Sequence, residues 1–157
     1  MAPVNFFQRI AIAPPRTAIY RRLGFRPDST RLSEAQRRET EAAIDAAADL
    51  IRLAGASRRL AVIERGPGRI VLDGGAVLAS RRLADFLGAS REVLLMGATA
   101  GEAIMAAIRA DMAEGRATRG VVLDATASEM TDAALDWITA VENRALRREG
   151  RALLTAR

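Results

Sequence analysis

From Leu123 to Ala145, apolar residues return at helical spacing: Leu123, Ala127, Met130, Ala134, Trp137, Ile138, Val141 and Ala145. A stripe of about 23 residues predicts a helix of about 35 Å, long for a chain of 157 residues. The rest of the chain has to cover that stripe. Arg144, Arg147 and Arg148 gather in the last turns, where cations face the negative end of the helix dipole, and Gly150 marks the stop.

Other helices announce themselves through their ends. Ser33 with Gln36 forms a capping box, after which Ile44, Ala47, Ala48, Ile51 and Ala54 share one face and Gly55 is expected to end the helix. Ser80 caps a two-turn helix with Leu83, Phe86 and Leu87 inward and Gly88 at its end. Thr99, with Glu102 three residues on, is read as the cap of a helix whose Ile104, Met105, Ile108 and Met112 are buried and which Gly115 closes. Thr17 to Leu23 is a further short helix, stopped by Gly24.

Between these the period changes. Leu60–Ile63 and Ile70–Leu72 are short β-type runs joined by Gly66-Pro67-Gly68, and Asp73-Gly74-Gly75 leads into a third at 76–78. Val93-Leu94-Leu95-Met96 is continuously apolar, as in a central strand covered on both faces. Residues 1–15 read as an N-terminal arm, extended before Pro14-Pro15, and 16–157 as a single domain. The expected fold is α+β, with helices packed on a small, mostly antiparallel sheet and a long C-terminal helix.

Composition narrows the chemistry. The chain has no Cys and no His, and all 24 basic residues are Arg. That removes disulfides, Cys/His zinc sites, His-dependent nucleophiles, Schiff-base lysines and the phosphate-loop lysine. The net charge of +5 invites a nucleic-acid reading. Against it, the Arg residues are dispersed in pairs, aromatics are 4 % and cannot furnish a stacking platform, and 33 Ala with no Lys fit a GC-rich coding sequence. Nucleic acid is therefore not an expected partner. No run approaches the roughly 18 apolar residues of a membrane span, so no membrane is expected either. Nor does Met1–Tyr20 resemble a signal peptide, which makes the cytoplasm the expected location.

Two local patterns could bind something. Gly97-Ala98-Thr99-Ala100-Gly101 joins a strand to a helix N-terminus, where free N–H groups can meet an anion or a polar ligand edge, although such a box is more often only a cap. Asp124, Ser128, Glu129, Asp132 and Asp136 include i,i+4 neighbours along one helical stripe. Like charges so spaced repel, and Arg pairing from another helix would relieve them; that solvated, paired face is the simplest reading.

The stretch Glu92-Val93-Leu94-Leu95-Met96-Gly97-Ala98-Thr99-Ala100-Gly101 resembles the strand, Ala-Thr-x-Gly turn and helix of the activation domain of vitamin B12-dependent methionine synthase, in its small standalone form. Val121-Val122-Leu123-Asp124-Ala125 with Asp136-Trp137 is similar to that family's long helix, and Tyr20-Arg21-Arg22-Leu23-Gly24-Phe25-Arg26 to its Tyr-Leu-Gly-Tyr-Arg opening. Val71-Leu72-Asp73-Gly74-Gly75, followed by Ser80 and Leu83-Ala84, fits as well, so the likeness runs through most of residues 17–157.

The resemblance implies an accessory domain that binds S-adenosylmethionine and docks on a cobalamin-binding protein or domain. Inactive cob(II)alamin there is reduced, with a flavodoxin-like electron donor, and remethylated. Cobalamin would be met only through the partner, and the domain would position chemistry carried by cofactors. The ligand candidates carried over are Thr99, Gly101, Asp132, where the family often has Glu, and Arg157. Arg157, the last residue, matches the Arg of the family's Arg-x-x-x-Gly-Tyr ligand motif, whose Gly and Tyr have no counterpart here. Two other readings stand beside this one: a ligand-free docking module on the same fold, and an Arg-driven nucleic-acid binder.

Overall fold

The computed structural model describes residues 3–154. In chain order the elements are β1 (Asn5–Phe7), α1 (Arg16–Arg22), α2 (Glu34–Leu50), β2 (Ala54–Gly66), β3 (Arg69–Leu72), β4 (Val77–Ala79), α3 (Arg81–Leu87), β5 (Glu92–Thr99), α4 (Glu102–Ala113) and α5 (Ala117–Arg148). The class is α+β, with a mostly antiparallel five-stranded sheet and a long C-terminal helix. No helix is long and apolar enough to cross a membrane among the described residues. The chain divides into two compact units, one of residues 3–6 and 56–97, the other of 7–55 and 98–154.

The strand order is β1-β2-β3-β4, with β5 also paired to β2. Pro67-Gly68 turns β2 into β3; Pro67 presets φ for the turn's first corner, and Gly68 takes φ +76° at the second. Val62 faces Leu72 while Glu64 faces Val71, so Ile63 is the extra residue of a bulge, and it is exposed. The Asp73-Gly74-Gly75 turn closes with the Leu72 N–H donating to the Ala76 carbonyl at 2.8 Å. Helix α3 starts where the Ser80 hydroxyl accepts from the Leu83 N–H, and it ends at Gly88. Its Leu83, Ala84 and Leu87 pack with Leu60, Ile70 and Leu72, the small core of this unit. Phe86, expected inside, is instead 46 % exposed.

The other unit is organised by α5. Ile19 of α1, Ile44 and Ala47 of α2, Ile104 of α4, and Leu123, Ala134 and Ile138 of α5 are fully buried in one cluster. The capping box at the start of α2 forms as expected, with Ser33 and Gln36 each accepting the other's backbone N–H. The segment read as an arm contributes Ile10, which is buried and donates its N–H to the Leu53 carbonyl.

Several expectations are corrected. Helix α2 ends at Leu50, and Gly55 lies inside β2, which is thirteen residues long and starts well before Leu60. β5 is not covered on both faces, since Leu95 and Met96 are each 41 % exposed. Thr99 does not cap α4: β5 holds it extended, and the N-cap is Gly101, with no side-chain cap bond. In α4 the buried line is Ile104, Ile108 and Asp111, which turns Met105 and Met112 outward, a rotation of about 100° per residue away. Trp137 is not a core residue but sits 37 % exposed, edge-on to Phe7 with ring centroids 5.4 Å apart.

Asp111 had no signal in the sequence. It is 1 % exposed and is held by Arg116, through Nε at 2.8 Å, and by Arg119 at 2.5 Å. These pairs tie the end of α4 to the start of α5. Gly120 lets the two helices approach there, since a Cβ on it would lie 3.2 Å from the Met112 sulfur.

Candidate functional site

A groove of about 480 Å³ opens within the helical unit where the chain leaves β5, enters α4 and faces the middle of α5. Ala98, Thr99, Ala100 and Gly101 form one wall, Asp124, Ala127, Ser128, Thr131 and Asp132 the other, and Met105 and Arg22 also line it. Thr99, Gly101 and Asp132, three of the four carried-over positions, thus line one groove. Arg157, the fourth, lies outside the described residues.

The strand-to-helix wall is fixed by the backbone. The Thr99 hydroxyl accepts from the Gly101 N–H at 3.1 Å, and the Ala100 carbonyl accepts from the Arg52 N–H at 2.8 Å. Gly101 has φ +89°, and a Cβ there would come within 3.3 Å of the Arg52 backbone oxygen, so both conformation and space call for glycine. Behind it the first N–H groups of α4 have no side-chain cap and remain available as donors.

The helical wall carries the acids. Arg22 reaches from α1 to α5, donating from Nε to Glu129 at 2.5 Å and from a terminal nitrogen to Asp132 at 3.0 Å. The hydrogen bond to Glu129 raises the Arg22 pKa further above its already high value, so the cation is permanent. Cross-helix pairing thus relieves Asp132 and Glu129, part of the acidic face. Asp124 and Ser128 make no hydrogen bond or ion pair among the described residues. The sequence hinted at both. Arg22, though, was only one of many Arg pairs, and its partner lies 107 residues away.

The groove offers one open carboxylate (Asp124), a shared one (Asp132), hydroxyls at Ser128 and Thr131, the latter donating to the Ala127 carbonyl, and apolar surface at Met105 and Ala127. Such a set can bind and orient a small polar ligand. No cluster of metal-ligating side chains occurs among the described residues. A larger hollow, about 810 Å³, lies between residues 8–13 and 48–53 and touches none of these positions. No family model matches the chain, and no curated protein matches it.

Proposed function

We propose that the chain is a non-autonomous activation component of a cobalamin-dependent methionine synthase, a domain that holds S-adenosylmethionine against a partner's corrinoid. The observation that carries this reading is the meeting of Thr99, Gly101 and Asp132 in a single groove, whose α5 wall also carries the open carboxylate of Asp124. The groove's volume falls in the range of about 300–1,000 Å³ usual for small-molecule sites. Its polar groups suit a zwitterion with a cationic centre: Asp124 and Asp132 would face the cation, the uncapped start of α4 the carboxylate, and Met105 with Ala127 the apolar body. When bound, S-adenosylmethionine supplies the methyl group, and a flavodoxin-like donor the electron, that return the partner's cob(II)alamin to its methylated form. The chain's own residues hold and orient, which agrees with a composition lacking His, Cys and Lys. This reading also assigns the chain to the cytoplasm.

Isothermal titration of the chain with S-adenosylmethionine tests it. Binding that weakens at least about tenfold in Asp124→Asn is expected, since a charged hydrogen bond would be lost. Absence of heat, in this chain and in one extended to include a Gly-Tyr segment, overturns the ligand claim. Failure to capture a corrinoid protein overturns the partner claim.

A ligand-free docking module is the second reading, favoured by one observation: Arg22 already occupies Glu129 and Asp132. It predicts corrinoid-protein binding that S-adenosylmethionine leaves unchanged. The nucleic-acid reading predicts affinity falling steeply with salt, and a flat response removes it.

A further inference from the structure

Helix α4 turns a second line of residues to solvent: Glu102, Met105, Ala106, Arg109, Met112 and Ala113 are all exposed. Their spacings of three and four are those of a helix–helix seam. Met105 is 43 % and Met112 51 % exposed, and the alanines beside them allow close approach. The two charged members, Glu102 and Arg109, stand one heptad apart with opposite signs. Neither has an ion-pair partner among the described residues.

Opposite charges seven residues apart make a line complementary to itself when run antiparallel. With Glu102 facing the partner's Arg109, Arg109 faces the partner's Glu102. Met105 then meets the partner's Ala106, large against small on both sides of a twofold axis, as an isologous interface requires. We propose that this face of α4 pairs antiparallel with the same face of a second copy of the chain, forming a twofold dimer. An unrelated partner would have no use for this self-complementarity, and with one Glu and one Arg the line has no net positive charge to draw it to an anionic lipid surface. The inference goes beyond the ligand reading; Met105 also lines the candidate groove, so a second copy and a ligand would compete for that side chain.

Sedimentation equilibrium of the full chain tests it. In this register the two helices overlap only from Glu102 to Arg109, about 12 Å, with Met112 beyond the overlap, so a weak dimer that dissociates below about 1 mM is expected. Arg109→Glu sets Glu against Glu twice and should weaken association at least about tenfold. The double variant Glu102→Arg/Arg109→Glu restores opposite signs and should recover association to within about threefold of the parent. Ala106→Glu supplies an independent disruption on the same line. Circular dichroism checks that each variant keeps its helices, which exposed positions should allow. A chain monomeric up to about 1 mM, an Arg109→Glu protein that dimerises like the parent, or folded variants in which the swap restores nothing would each overturn the proposal.

Discussion

The two units are held together by unequal means. The sheet unit relies on four buried apolar residues, Leu60, Ile70, Leu72 and Leu87. It leaves Ile63, Val77, Phe86, Leu95 and Met96 exposed. The helical unit buries residues from α1, α2, α4 and α5 in one continuous cluster and pins its corners with ion pairs. Burial of apolar area is the main stabilising term, so the helical unit should carry most of the global stability, with the sheet unit opening first. The candidate groove lies on the better-built side.

The largest expected effect is Ile138→Ala. The side chain is fully buried, and its truncation should cost about 2–5 kcal/mol in chemical denaturation. Leu72→Ala empties a comparable space in the sheet unit and is the sharper contrast: hydrogen exchange should accelerate within 56–97 while α5 stays protected. Equal loss of protection in α5 would erase the distinction between the units. Asp111→Ala comes next, at about 1–3 kcal/mol, because Arg116 and Arg119 are half exposed and water can recover them. Ser33→Ala should cost about 1 kcal/mol, the usual worth of an N-cap.

The smallest effect is confined to alkaline pH. Burial, then the hydrogen bond to Glu41, pushes the Tyr20 phenol up to about 12. The folded state therefore keeps the proton that the unfolded chain releases near 10. This contribution is complete below about pH 10 and is lost as pH rises towards 12. Tyr20 is the only tyrosine, so its phenolate absorbance reads the titration directly, and Tyr20→Phe should flatten stability over that window.

Features set by neighbours in sequence were legible before the fold. The Ser33–Gln36 box, the Ser80 cap, the Pro67-Gly68 hairpin and the Leu123, Ala127, Met130, Ala134 and Ile138 part of the α5 stripe all depend on residues a few positions apart. Further along α5, Glu142 and Leu146 are buried in place of Val141 and Ala145. What could not be read was set by distant partners. The first half of β2 contains small residues and Arg58-Arg59, without strand character, and pairing made it a strand. Met105 and Met112 resemble core residues until the burial of Asp111 fixes the phase of α4. The groove was half legible: Thr99, Gly101 and the acids stood out, whereas Arg22 has meaning only beside Glu129 and Asp132.

The interleaving of the two units also sets an order in time. During synthesis, residues 56–97 emerge as a continuous stretch and can close their hairpins locally. α1 and α2 leave the ribosome first but bury their apolar faces against α5. Arg22 waits 107 residues for Glu129. Until then Ile19 and Ile44 lack the α5 surface that buries them, so the helical unit is the last to be completed.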